Sequence, residues 1–306
     1  MTRVIDTERK PAEKTVSLVL GSGGARGLAH IGVIQCLHEM GYIIGSVSGS
    51  SIGSVIGGVY AAGKLKDFEL WMRKMSRSEI LSMMDFTWQK GGLVKGDKVI
   101  NAMIEMVGDI HIEDLAIPYT AVAADIENHK EVWFQRGPLF EAIRASVSLP
   151  LLMTPQIIND RILIDGGVLN PVPIAPTFGD HTDIKLAVNL AGHSDLRQER
   201  AQIEQRSHEN LDNKDSNPIT QLLERFQKPS EQKHKFEDWG VTDVTNQAFD
   251  AMQTSIARQK LAAYPPDITI EIPRNIAKIM EFDRANELIE YGYMRAHETL
   301  DNYILT

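Results

Sequence analysis

One cysteine, Cys36, occurs in 306 residues. A lone thiol cannot close an internal disulfide, so stability must come from a packed core, and a reducing, cytoplasmic setting is expected. Cys36 lies among Ile34, Leu37 and Met40 at helical spacing, which reads as a buried structural thiol rather than a nucleophile. Basic residues are in deficit, 32 Lys and Arg against 41 Asp and Glu, for a net charge of -9. Non-specific nucleic-acid binding needs a basic surface to displace counterions, so that class is excluded. Long apolar runs are missing as well. The strongest, around Ser54 to Ala62, falls far short of the roughly 20 residues that cross a bilayer. Residues 1–14 form a polar leader of mixed charge without the apolar stretch of a secretory signal. No His, Cys and carboxylate cluster has metal-ligand spacing, so no metal and no cofactor are expected.

What is present is a composition of 43% hydrophobic and 24% charged residues, typical of a globular protein long enough to bury a sizeable core. Val16–Leu20 reads as a buried strand running into Gly21-Ser22-Gly23-Gly24-Ala25-Arg26-Gly27. An amphipathic helix follows, with Leu28, Ile31, Ile34 and Leu37 on one face and Gly41 as its C-terminal cap. A second strand then delivers Gly49-Ser50-Ser51-Ile52-Gly53, and an apolar helix follows that. Strand, glycine turn, helix, strand, elbow, helix is the beginning of an α/β fold with a parallel sheet and right-handed crossovers. Further strands are expected at Tyr119–Ala124, Glu131–Phe134, Arg161–Ile164, Ile184–Leu190 and Ile268–Ile272, with a short helix over Leu139–Ser148. From Ser194 to Asp238 charged residues, Gln and Asn dominate, with Leu222, Leu223 and Phe226 as the few apolar anchors. Residues 193–240 therefore read as a polar insertion, either an exposed helical excursion or a segment without fixed structure. Residues 241–306 bring helices and one strand back to the same domain.

Gly49-x-Ser51-x-Gly53 fits a nucleophile elbow, in which a strained strand-to-helix turn pushes the serine hydroxyl out of the backbone. The helix after it points its positive end at that hydroxyl. Serine hydrolysis also needs a base and donors aimed at the developing oxyanion. Asp165, at the end of a predicted strand and before Gly166-Gly167, is the best base, since sites of open parallel sheets gather at the strands' carboxyl edge. The alternative is an ordinary Asp-Gly turn. The Gly21–Gly24 loop fails the dinucleotide and P-loop spacings, because both need glycine where Arg26 stands. An anion-binding nest remains.

These motifs, in this order, resemble the patatin-like phospholipases, and most closely the bacterial subgroup similar to the catalytic domain of neuropathy target esterase. The resemblance runs from about residue 15 to residue 192 and includes Arg144-Ala145-Ser146 before Leu149-Pro150. It implies a three-layer α/β/α sandwich with a mainly parallel sheet. It further implies a dyad of Ser51 and Asp165, an oxyanion hole from the amides of Gly23, Gly24 and Ala25, and support from Gly21, Arg26 and Gly27. Ser22 departs from the subgroup, which usually has glycine there. An α/β-hydrolase triad would instead need one of His181, His193, His208, His234 or His297, but the elbow comes early for that fold.

Residues 70–93 carry Trp71, Met72, Met75, Ile80, Leu81, Met83, Met84, Phe86 and Trp88. They suit an acyl-chain channel or a lid touching a membrane interface, or a helix pair packed on the core. Three functions are compatible: a lipid acyl hydrolase, an acyltransferase on the same dyad, and a non-catalytic lipid-binding module. Retention of Ser51 and Asp165 argues against the last. The sequence assigns no oligomeric state.

Overall fold

The computed structural model describes residues 14–83, 86–87, 93–192 and 241–305. The leader before Lys14 and the polar stretch 193–240 lie outside the described residues. In chain order the elements are β1 (Thr15–Leu20), α1 (Ala29–Glu39), β2 (Ile43–Ser50), α2 (Ile52–Ala61), α3 (Leu65–Lys74) and α4 (Arg77–Met83). A two-stranded pair, β3 (Phe86–Thr87) and β4 (Leu93–Val94), precedes α5 (Asp97–Val107), β5 (Tyr119–Asp125), β6 (Lys130–Phe134) and α6 (Leu139–Ser146). The chain continues through β7 (Gln156–Ile158), β8 (Arg161–Asp165) and β9 (Ile184–Gly192), then α7 (Val241–Ala263), β10 (Ile268–Pro273) and α8 (Ala285–Ile304).

The main sheet is mixed but mostly parallel. β10, β9, β1, β2 and β5 lie side by side and all run parallel. β6 and β8 pair antiparallel with β5, and β7 pairs antiparallel with β8. The alternation expected of strands sorts β1 between two layers. Val16, Leu18 and Leu20 join α1, α2 and α8 in the larger core. Val19 points the other way, into a smaller cluster with Val172, Ile174, Ala187 and Ala257 of α7. Helices thus cover both faces. α1 ends as its sequence suggests: Gly41 has φ 81°, and the Gly41 and Tyr42 amides return to the His38 and Leu37 carbonyls, a Schellman stop. Cys36 is fully buried in α1, and burial pushes its thiol up to about 11. The C-terminal helix closes on this element so tightly that a Cβ on Gly32 would fall 1.9 Å from the Ile289 carbonyl oxygen.

The arrangement around β5 sets up the site. β6 runs along one edge of β5 from Ala121 to Asp125. On the other edge β2 pairs as far as Val122, opposite Ser50, and β8 takes over from Ala123, opposite Asp165. β2 and β8 therefore approach one another from opposite directions along a single edge, and their last residues meet. The Asp165 carboxylate reaches the elbow by this route, and not from a neighbouring parallel strand's carboxyl edge as the sequence pattern suggested.

Candidate active site

Ser51 follows the last residue of β2 and has φ 55° and ψ -126°. A non-glycine residue there carries roughly 1–3 kcal/mol of backbone strain and persists only when its surroundings fix it. They do. Its amide donates to Ser146 Oγ at 3.0 Å, and the Ser146 hydroxyl donates to the Val122 carbonyl at 2.6 Å. Its carbonyl accepts the Ser54 amide at 2.9 Å and the Ser54 hydroxyl at 2.6 Å. Tyr119 Oη in turn donates to the Ser54 carbonyl at 2.7 Å. The two elbow glycines are required by crowding: a Cβ on Gly49 would stand 2.3 Å from the Gly53 oxygen, and one on Gly53 2.1 Å from the Leu20 oxygen.

The Ser51 hydroxyl donates to Asp165 Oδ2 at 2.5 Å across 114 positions of sequence. The other carboxylate oxygen accepts the Gly167 amide at 2.7 Å. Asp165 is 1% exposed. Burial penalises its charged form and raises its pKa from 3.8 to about 6, while the hydrogen bonds from Ser51 and Gly167 pull the other way. Gly166 has no room for a side chain, since a Cβ would lie 2.0 Å from the Val122 oxygen.

The loop from Gly21 to Gly24 packs against β9 and closes the third side. Its carbonyls are held from behind. Arg26, buried, donates from Nε to the Gly23 carbonyl at 3.0 Å and from Nη1 to the Arg274 carbonyl at 2.9 Å. Burial lowers the pKa of its guanidinium and the nearby Asp250, 3.6 Å away, partly restores it. His30, fully buried on α1, places Nε2 2.9 Å from the Gly21 carbonyl. Burial drives its pKa down to about 4, so the ring is neutral and Nε2 carries the proton it donates. Gly27 seats this turn on α2, because a Cβ there would meet Ile52 at 2.3 Å. The expected donor set needs one correction. The Ala25 amide is committed to the Ile279 carbonyl at 2.8 Å, as Ser22's is to Pro171 at 2.8 Å. Among the described residues only the Gly23 and Gly24 amides of this group are left without an acceptor, and a trans peptide held at the Gly23 oxygen fixes the direction of the Gly24 N–H.

Ser51, Asp165, Gly23 and Gly24 line one cavity of about 230 Å³. Nearly all of its remaining wall is apolar: Met72 and Met75 at the end of α3, Ile80 and Met83 of α4, and Val99 and Met103 of α5. Of the aromatic and methionine stretch singled out in the sequence, Trp71 also faces this cavity, whereas Leu70 and Leu81 are exposed. Met84 and Trp88 lie outside the described residues, and so do His193, His208 and His234. His181 and His297 are exposed and line no part of the cavity. Sequence reasoning did not assign Ser146 or His30 a role. A histidine among the buried residues of an otherwise apolar helix was a signal for the second; Ser146 offered none beyond its place in a short motif.

The family model for patatin-like phospholipases matches residues 18–178, a span that begins in β1 and takes in both Ser51 and Asp165. The chain belongs to this family. An NTE family protein of Mycobacterium tuberculosis is 36% identical over 337 residues, spanning 96% of this chain and 94% of that protein. The lysophospholipase NTE1 of Cryptococcus neoformans is 36% identical over 176 residues, 55% of this chain and 11% of that one. Mouse patatin-like phospholipase domain-containing protein 6 is 35% identical over 192 residues, or 60% and 14% of the two chains. The crystal structure of VipD from Legionella pneumophila superimposes with a TM-score of 0.47 at 15% identity, covering 95% of this chain and 67% of that one. This patatin-like chain is accordingly a lipid ester hydrolase, and its substrate is a lipid. Among the described residues no helix is long and apolar enough to cross a membrane, and no three His, Cys, Asp or Glu side chains converge as a metal site.

Proposed function

We propose that this chain hydrolyses (lyso)phospholipids or related long-chain lipid esters through a Ser51–Asp165 dyad and an acyl-enzyme. One observation carries the reading: a 2.5 Å hydrogen bond from Ser51 to a buried carboxylate at the polar end of an otherwise apolar cavity. Asp165 takes the hydroxyl proton as Ser51 Oγ attacks the ester carbonyl. The oxyanion accepts the Gly23 and Gly24 amides and faces the N-terminus of α2. Collapse of the tetrahedral intermediate breaks the bond to the leaving alcohol, which receives the proton from Asp165. Water then attacks the acyl-enzyme, Asp165 accepts its proton, and the fatty acid leaves as Ser51 regains a hydrogen. A base titrating near 6 is ionised at neutral pH yet more basic than an ordinary aspartate.

The apolar wall from α3, α4 and α5 accepts the acyl chain, and the exposed Leu70 and Leu81 on the outside of the same helices give peripheral contact with a lipid surface. Names of relatives that include "lysophospholipase" favour the same substrate class. A fluorophosphonate probe tests the dyad. The unmodified chain should be labelled at Ser51 and Ser51→Ala should not. Labelling retained in Ser51→Ala, or loss of esterase activity on replacing His181 or His297 as severe as that in Ser51→Ala, would sink it.

A further inference from the structure

The turn after α6 departs from what a water-facing surface favours. Leu149-Pro150-Leu151-Leu152-Met153 is a run of apolar residues, and not one of them is buried. Leu151 at its tip is 68% exposed and has φ 68°. Leucine there loses on two counts. Its side chain stays in water, and its backbone sits in the left-handed region that glycine or asparagine adopts more easily. Such an outlier points to a use for the conformation. The neighbouring backbone holds it in place. The Leu152 and Met153 amides both return to the Leu149 carbonyl, at 3.2 and 2.8 Å, and the Leu152 carbonyl accepts the Val94 amide at 2.8 Å.

This turn borders the large cavity. Leu149, Leu152 and Met153, on either side of Leu151, line it. So do Ile80 and Met83 of α4, a helix in which no residue is buried and Leu81 is exposed. Met280 lines it as well and is itself exposed. The apolar lining thus continues on to the outer surface from three segments of the chain. Cations stand beside it. Lys95 directly follows Val94, Lys98 donates from Nζ to the Ser82 carbonyl of α4 at 3.1 Å, and Arg77 opens that helix. All three are exposed, and none has an ion pair among the described residues. The carboxylates near them are fewer. Glu79 is taken up by the Ser76 amide and hydroxyl at 2.8 and 2.6 Å. Asp97 lies in the first turn of α5, where the helix dipole offsets its charge. Around Met280 the charges balance, Lys278 and Arg284 against Glu281 and Asp283. On a chain of net charge -9 this is a locally basic rim.

Resting on the reading of the large cavity as an acyl-chain site, we propose that this rim docks the chain on an anionic phospholipid surface, with Leu151 inserted among the acyl chains. A long-chain lipid ester resides in such a surface, and from there its acyl group reaches the cavity along apolar side chains. Insertion takes the exposed leucine out of water, and the left-handed turn fixes the direction in which it projects. Lys95, Lys98 and Arg77 then lie at head-group level, where each cation adds attraction to an anionic surface. The same charges orient the encounter, because the chain as a whole is repelled and the rim is drawn in. The contact assigned above to Leu70 and Leu81 thereby gains an insertion point and a head-group class. Leu151 lines no part of the cavity, so it acts on delivery of substrate and not on the chemistry at Ser51.

The test is co-sedimentation of the whole chain with vesicles of phosphatidylcholine alone and of phosphatidylcholine mixed equally with phosphatidylglycerol. The unmodified chain should bind the mixed vesicles more tightly. Asparagine suits a left-handed backbone, so Leu151→Asn should keep or raise the midpoint of urea unfolding, which separates lost binding from lost folding. It should weaken binding to the mixed vesicles by about tenfold, the share of one leucine side chain partly withdrawn from water. Replacing Lys95 and Lys98 together with glutamine should cost roughly 30-fold on the mixed vesicles and nothing on phosphatidylcholine alone. Leu151→Asn should also hydrolyse a soluble short-chain 4-nitrophenyl ester at the parent rate while losing turnover of a long-chain ester held in the mixed vesicles. Equal binding by the parent and Leu151→Asn overturns the insertion, and indifference to phosphatidylglycerol overturns the charge selection. A parent chain that binds neither vesicle, or that self-associates through a contact abolished by Leu151→Asn, overturns the docking surface. Absence of fluorophosphonate labelling at Ser51 counts against the dyad instead and leaves the vesicle measurement unaffected.

Discussion

Replacing Asp165 with asparagine should make the protein more stable while removing its activity, and the gain should depend on pH in a defined way. The folded carboxyl titrates near 6 instead of 3.8, because burial disfavours its charge. Below about pH 4 the group is protonated in both folded and unfolded chains and contributes nothing. Between about pH 4 and pH 6 the unfolded chain releases this proton and the folded chain keeps it, so raising the pH lowers stability by ~1.4 kcal/mol per pH unit. Above about pH 6 the loss is complete, at ~3 kcal/mol. Asparagine has nearly the same shape and no charge. Its carbonyl can still accept the Gly167 amide, and its NH₂ can donate to Ser51 Oγ, so neither polar contact need be abandoned. Urea unfolding of both proteins from pH 4 to pH 8 measures the difference, in which all other titrating groups cancel. The curves should coincide near pH 4, separate through pH 6, and stay apart above it by roughly 1 M in midpoint. Esterase turnover should fall by about 10²–10⁴-fold, the usual contribution of a positioned base. A gap that does not change with pH, or an Asp165→Asn protein less stable at pH 8, would refute the desolvation argument.

Because Asp165 must be ionised to accept the Ser51 proton, kcat/KM should rise about tenfold per pH unit up to pH 6 and level off above; a profile flat from pH 4.5 to 8 excludes it as the base. Arg26→Met keeps most of the side-chain volume but releases the Gly23 carbonyl, and the drop in kcat should approach the 10²–10³-fold typical of a lost oxyanion donor. Unaltered kcat in that variant would show that the loop holds its shape without the brace. Gly166→Ala forces a methyl against the Val122 carbonyl and should cost about 1–3 kcal/mol in urea unfolding, with kcat lowered as the Asp165 end of β8 is displaced. An alanine variant as stable and active as the parent would show that this backbone can give way.

The parts of the site that the sequence displayed are those where local chemistry is specific. Glycine is required at 49 and 53 by backbone contacts under 2.5 Å, so the elbow is written in residue types that few other contexts demand. The alternation in Val16–Leu20 and the Schellman stop at Gly41 are legible for the same local reason. What could not be read depends on partners far away in sequence. Ala25 looks like a third amide donor until Ile279, 254 positions later, is found to accept its N–H. Ser146 supports Ser51 across 95 positions, and its place in the Arg144-Ala145-Ser146 motif at a helix end does not reveal that contact. The direction of β8, in contrast, has a local signal. Asn159 and Asp160 both have positive φ, 50° and 59°, and an Asn-Asp pair between two short apolar runs is a hairpin signal. This turn sets β8 antiparallel to β7 and rules out a parallel crossover between them.

The carboxylate of the proposed dyad hangs from a small structural unit. β8 joins the sheet through only three residues of β5, and its other neighbour, β7, is itself three residues long at the margin of the sheet, with Ile157 68% exposed. The serine, in contrast, rises from β2, which is flanked on both sides by parallel strands, β1 and β5. The two halves of the proposed pair thus belong to regions of unequal local stability. Opening of the β7–β8 hairpin would draw Asp165 from Ser51 while leaving the glycine loop and most of the core in place. The Ser51–Asp165 contact is thus open to loss in a local opening, at a free energy below that of global unfolding.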